Sequence, residues 1–194
     1  MKFLLVSAGI IALLLIISQI YAMSIQNGIE TYSFTIEKKY DKFEIRRYEA
    51  SLFTSVKLST NKYEEASSNG FRQLAGYIFG GNEKNQKIAM TSPVSMSLSD
   101  SMTMMFMVPK AIDKEDLPMP NQKGIKFTEE PEKRVAAISF GGWASSEKIQ
   151  EEKFKLINYL KREGIEHNNS FSFLGYNSPF EMVGRKNEII VELL

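Results

Sequence analysis

Cysteine is missing from all 194 residues. That removes disulfides, thiolate metal sites, a cysteine nucleophile and a lipid-modified cysteine. Histidine is almost missing: His167 is the single one, set after Gly164 in the polar run Glu166-His-Asn-Asn169, and it reads as a solvated loop residue. A lone imidazole with no carboxylate at defined spacing is not a metal site. No Gly-x-Ser-x-Gly elbow is present to support a hydrolytic triad. Excess charge is missing too. The 24 basic and 23 acidic side chains leave a formal charge of +1, without the basic surplus that phosphate contacts demand. Nucleic acid is therefore not an expected partner. No run of five like charges points to an electrostatic tail.

Charge is also absent between Lys2 and Glu30, and Phe3–Ile17 is apolar except for Ser7. Two readings fit residues 1–22. One is a signal peptide cut after Ala22, at the end of Ile20-Tyr21-Ala22. The other is an uncleaved membrane anchor over Phe3–Met23, just long enough to span a bilayer. In both, a lone N-terminal lysine stays inside. The body of the chain is then exported across the membrane, to the periplasm or cell envelope or as a secreted protein, or is held there by the anchor. Residues 23–30 are a polar linker. Residues 31–194 form one domain with enough chain for a real core.

The remainder is mostly strand. In Lys87–Leu98 the apolar residues Ile88, Met90, Val94, Met96 and Leu98 share one parity, as on a strand with one buried face. Pro93 marks an edge or a bulge within it. Met102–Val108 is apolar on both parities and reads as a central return strand. Thr31–Lys38, with Tyr32, Phe34 and Ile36 inward, Phe43–Tyr48 and Ser51–Leu58 are further strands. Asn61 and Glu64 form a capping-box-like pair for a helix with Tyr63, Ala66, Gly70, Phe71, Leu74, Tyr77 and Ile78 on one stripe. Gly80-Gly81-Asn82 ends that helix; at a C-terminus the dipole repels anions, so it is a cap and not a phosphate loop. Lys110–Lys123 is a loop. Ile125–Glu129 and Val135–Phe140 are strands, and Ser145 or Ser146 caps a second helix that buries Ile149, Phe154, Leu156, Ile157 and Leu160 and stops at Gly164. Phe171–Tyr176 and Glu188–Leu193 complete the chain. The pattern repeats: two strand–helix–strand–strand units form one α+β domain, a distorted β-barrel flanked by two main helices.

Six of the ten methionines lie between Met90 and Met107. Flexible thioethers fill an irregular core and also suit an adaptable apolar pocket between the first helix and this sheet.

The segment Phe71-Arg-Gln-Leu-Ala-Gly-Tyr-Ile-Phe-Gly-Gly-Asn82, followed by Lys87-Ile-Ala-Met-Thr-Ser-Pro-Val94, resembles the SOUL or haem-binding protein family. Phe43-Glu-Ile-Arg-Arg-Tyr48, Val135-Ala-Ala-Ile-Ser-Phe-Gly-Gly142, Gly175-Tyr-Asn-Ser-Pro179 and Gly184-Arg-Lys-Asn-Glu-Ile189 are similar to further family segments in the same order. The resemblance covers residues 31–194 and implies the duplicated barrel. It also implies a non-catalytic role, binding haem or another tetrapyrrole or flat hydrophobic ligand in an apolar cleft beside the first helix. On that basis Phe71, Leu74, Ala75 and Ile78 face the macrocycle, with Phe180, Met182 and Val183 in a nearby loop. The family's basic positions for the propionates correspond here to Ser68, Gly76 and Glu181, where Glu181 is expected to repel a carboxylate, so Arg72 and Arg185 are the expected carboxylate partners. No histidine stands beside the first helix to ligate iron. The alternative is a cell-envelope interaction or sensing module that binds a protein partner or another small molecule.

Overall fold

The computed structural model describes residues 28–178 and 181–194. A two-stranded parallel pair joins β1 (Glu30–Thr31) to β5 (Thr91–Ser92). Among the described residues the main sheet has nine strands: β2 (Phe34–Lys39), β3 (Glu44–Tyr48), β4 (Ser51–Lys57), β6 (Val94–Ser97), β7 (Thr103–Met107), β8 (Ile125–Glu130), β9 (Lys133–Gly141), β10 (His167–Gly175) and β11 (Lys186–Leu193). Helix α1 (Tyr63–Ile78) lies between β4 and β5, and α2 (Ser146–Glu163) between β9 and β10. A 3-10 turn at Lys114–Asp116 interrupts the loop before β8.

Spatial order in the sheet is β2-β3-β9-β11-β10-β6-β7-β4-β8. Exchange β3 with β8, β4 with β9, β6 with β10 and β7 with β11, and the order from β3 to β8 reads identically backwards. The duplication is therefore real, with a pseudo-twofold axis between β6 and β10, where Met96 sits opposite Phe173. Each copy is strand–strand–helix–strand–strand, one strand longer than the unit visible in the sequence.

Alternation along the strands loads both faces of the sheet. The helix-covered face carries Leu74, Met96, Met104, Ile149, Leu156, Leu160, Phe173 and Ile189. The opposite face carries Tyr48, Phe53, Met107, Leu174 and Ile190. There the Tyr32 ring packs 4.5 Å from Tyr48 and 5.2 Å from Phe53, centroid to centroid, so the sheet curls into a half-barrel around an aromatic interior.

Several local expectations change. The Lys87–Leu98 strand is broken at Pro93: residues 91–92 pair with β1, and only residues 94–97 enter the main sheet. Met90 is exposed as a result. Ile36 is exposed too, next to a register shift in β2. Phe154 is 61% exposed, because the buried stripe of α2 runs through Ile149, Glu152, Leu156 and Leu160. His167 opens β10, with its ring against Phe171, and is not a loop residue. Lys62, not Asn61, is the N-cap of α1, and it makes no side-chain capping bond. Ser145 does cap α2, accepting from the Lys148 amide, and Gly164 closes it in the left-handed region at φ 65°. Among the described residues no helix is long and apolar enough to cross a membrane. The signal-peptide and anchor readings concern residues outside the described ones.

Candidate functional site

Helix α1 packs against the sheet through the large side chains Leu74, Tyr77 and Ile78 and, between and before them, through small residues. Ala66 and Gly70 are buried against it, and a Cβ at Gly70 would stand 3.0 Å from both Leu58 and Met104. Close approach at that end, combined with the short side chain of Ala75, leaves a cleft of about 690 Å³ between α1 and the sheet. Its floor is Val94, Met96, Met104 and Phe173 from β6, β7 and β10. One wall is Tyr63, Phe71 and Ala75 of α1; the other is Trp143 and Ala144 from the turn before α2. The volume falls inside the roughly 300–1,000 Å³ usual for small-molecule sites.

Aromatic contacts hold these walls. Tyr63 meets Phe173 edge-on at 5.1 Å, and Phe71 meets Phe106 at 5.4 Å. The Arg185 guanidinium stacks 4.0 Å from the Trp143 ring centroid. Its Nη1 donates to the Ser178 and Glu181 carbonyls at 3.0 and 2.6 Å, while Nε is buried with no hydrogen-bond partner among the described residues. Asn187 Nδ2 donates to the Gly142 carbonyl at 2.8 Å and so fixes the Trp143 turn from below.

One end of the cleft is tied shut. The Ser146 amide and hydroxyl donate to the Glu64 carboxylate at 2.8 and 2.7 Å, and the Tyr63 amide donates to Ser146 Oγ at 3.0 Å. These bonds hold the Glu64 carboxyl below the usual carboxylate range. The two helix N-termini thus satisfy each other across the pseudo-twofold axis, which is where the expected capping-box glutamate is used. A second hollow of about 540 Å³, lined mostly by polar side chains such as Lys57, Glu65, Asn69, Gln73 and Gln122, shares Arg72 with the cleft.

The family model described as SOUL heme-binding protein matches residues 29–192. Heme-binding protein 2 of Mus musculus is 32% identical over 79% of both chains. Heme-binding protein 1 of Xenopus laevis is 27% identical over 86% of this chain and 93% of its own. The chain belongs to the SOUL heme-binding protein family. Its fold is also similar to the EcmrR C-terminal domain (TM-score 0.62, 10% identity, 79% of this chain and 97% of that one). A Listeria innocua hydrolase shares it at TM-score 0.56 and 8% identity, over 81% and 94% of the chains. At such identities the likeness concerns architecture alone.

Of the SOUL-type residues expected at the cleft, Phe71, Ala75, Arg72 and Arg185 line it. Leu74 and Ile78 do not; they are buried beneath α1 in the core. Met182 and Val183 are exposed and outside the lining, and Phe180 lies outside the described residues. Ser68 is in the lining, and Gly76 is not, with nothing within 4 Å of a Cβ placed on it. Glu181 is not in the lining. It is buried and turned to its own loop, accepting from Asn177 Nδ2 at 2.6 Å and the Ser178 amide at 3.1 Å. Sequence reasoning does not single out Trp143, Tyr63, Phe173, Asn177 or Asn187 as site residues. Trp143 carries a signal: it is the chain's one tryptophan, between a glycine pair and a helix cap. His167 is not in the lining.

Proposed function

We propose that the protein is a non-catalytic binding protein for haem or another flat, apolar tetrapyrrole, held in the cleft beside α1. The observation that carries this is the combination of a soft floor of Met96 and Met104 with ring-bearing walls, Phe71, Tyr63 and Trp143, on either side. Such surfaces give a flat macrocycle apolar burial worth roughly 25 cal/mol per Å². Thioethers adapt to its outline. Arg72 and Arg185 supply positive charge for its carboxylates. The names of the curated relatives support the same ligand class. With no imidazole in the lining, the residues fit a macrocycle held by its faces and carboxylates and not by a histidine–iron bond. The non-catalytic part of the proposal rests on the lining: thioethers, rings, amides and guanidiniums, the Ser67 and Ser68 hydroxyls donating to the Glu64 carbonyl with no base beside them in the lining, and the Glu64 carboxylate already engaged by Ser146. Export of the body, by signal peptide or anchor, is part of the same proposal, and the mature N-terminus read by intact mass tests it.

Titration with hemin is the main test. A saturable Soret shift at low micromolar protein is expected, with Phe71→Ala weakening it at least tenfold. A Soret band that never saturates, or a Phe71→Ala variant that binds like the parent, sinks the reading.

A further inference from the structure

The motifs Phe43-Glu-Ile-Arg-Arg-Tyr48 and Gly184-Arg-Lys-Asn-Glu-Ile189 meet each other inside the half-barrel. Arg46 Nη1 and Nη2 donate to the two oxygens of Glu188 at 2.8 and 3.0 Å. Tyr176 donates its hydroxyl to Glu188 at 2.6 Å and Ser139 does so at 2.9 Å, while Lys186 Nζ lies 3.1 Å away. Arg46 also donates from Nε to Glu44 at 2.8 Å. Glu188 is fully buried and Arg46 nearly so. A buried ion pair is weak evidence for stability, since desolvation offsets its attraction, and its better-attested use is to fix register.

The register fixed here is that of the cleft. Alternation along β11 sends Glu188 into the barrel and Asn187 to the opposite face, where Asn187 holds the Gly142 carbonyl under Trp143. Next to it, the Lys186 amide donates to Asn177 Oδ1 at 2.6 Å, and the Tyr176 amide donates to the Lys186 carbonyl at 3.2 Å. Asn177, Arg185 and Asn187, three cleft-lining residues, therefore lie within three positions of Tyr176 or Glu188. We propose that Arg46, Tyr176 and Glu188 are positioning residues for the cleft. None of them lines it; together they hold the Arg185–Trp143 wall at its distance from α1. The effect on ligand rests on the binding reading above. The effect on the wall does not.

The chain's single tryptophan makes the wall observable in the full, ligand-free protein. Two variants are compared with the parent. Tyr176→Phe removes one hydroxyl. Arg46→Met with Glu188→Leu replaces the whole pair by apolar side chains, a change that buried ion pairs often tolerate without loss of fold. With Trp143 already 60% exposed, both variants are expected to unfold cooperatively, to show acrylamide quenching of Trp143 raised toward that of a fully exposed indole, and to bind hemin about tenfold more weakly as the competent fraction of clefts falls. If both variants keep parental quenching and parental hemin affinity, or lose thermal stability with neither readout moved, the network is structural only and the proposal is overturned. If the double variant does not fold, Tyr176→Phe decides alone. If the parent does not bind hemin but quenching rises as expected, the binding reading fails and the positioning role stands.

Discussion

The two helices occupy equivalent places in a duplicated frame and treat the sheet beneath them differently. Helix α2 fills its contact with large side chains: Ile149, Leu156 and Leu160 are essentially inaccessible. It is capped at both ends and tied along one side by Lys148 and Lys155 to Glu151 and Glu152. Helix α1 also buries large side chains, Leu74, Tyr77 and Ile78, but between them it presents Ala66, Gly70 and Ala75, gets no capping bond from its own N-cap residue, and borders a cleft with Phe71 half-buried at its edge. One copy of the unit closes its core; the other leaves room. A binding site can arise from a repeated fold by shrinking some of the side chains under one helix, because its remaining large residues, the other helix and the shared sheet keep the whole domain folded.

The largest test of that contrast is Leu156→Ala. Emptying so enclosed a position costs about 2–5 kcal/mol, read by denaturant unfolding, while hemin affinity of the folded protein stays at the parental value. Phe71→Ala should show the reverse balance, with the larger loss in affinity. Equal stability losses at both sites would erase the distinction. Acid should weaken the frame the two copies share. Burial pushes the Glu188 carboxyl up, but Arg46, Tyr176 and Lys186 more than offset it, and its pKa lies below the ordinary value of 4.5. Its stabilisation is therefore complete above the unfolded-state pKa and is lost as pH falls through the lower folded value. Circular dichroism against pH should show unfolding beginning below about pH 4.5, and Tyr176→Phe, by removing a bond worth about 1.5–3 kcal/mol, should move that onset upward. Next in size is Ser145→Ala, which costs about 0.5–2 kcal/mol through the lost cap; Asn61→Ala, at the position the sequence nominates on α1, should cost almost nothing in the same thermal melt.

These contrasts also show how far the sequence can be read. Strand parity finds the sheet and the central place of Met102–Val108, and a cap at Ser145 or Ser146 with Gly164 at the other end bounds α2, the structure choosing Ser145, because caps and alternation are local. The duplication is visible in part, since β3 and β8 match in position and not in sequence. Phe154 is misplaced by its spacing, because an apolar residue beside a helical stripe satisfies a spacing rule within one turn; only tertiary contact shows that Glu152, not Phe154, turns inward. The family resemblance, and not the spacing, is what puts Leu74 and Ile78 at the cleft, while the structure buries both beneath α1. Helix periodicity identifies a buried stripe but does not separate the part against the sheet from the part beside a cavity. Trp143, Asn177 and Asn187 reach the site from loops and strand ends distant in sequence, held there by bonds such as Asn187 to Gly142 that leave no periodic trace.

The smallest effects come from two glycines that look alike in sequence. Gly70 and Gly76 both sit inside α1, where alanine is favoured over glycine by about 1 kcal/mol. Around Gly76 nothing lies within 4 Å of a new Cβ, so Gly76→Ala should raise stability by about 0.5–1 kcal/mol, seen as a higher melting temperature with unchanged hemin affinity. At Gly70 the new carbon would meet Leu58 Cδ1 and the Met104 Cβ and Sδ at 3.0 Å. The Met104 Cβ is fixed to the β7 backbone and cannot swing aside, so overpacking of about 1–3 kcal/mol offsets or exceeds the helical gain. The helix must then lift from the sheet, which widens the cleft over Met104 and changes hemin affinity. Opposite signs from the two substitutions would tie the cleft's dimensions to the closeness of α1 at Gly70; a stabilising Gly70→Ala with parental affinity would show that the small side chains under this helix are incidental to the site.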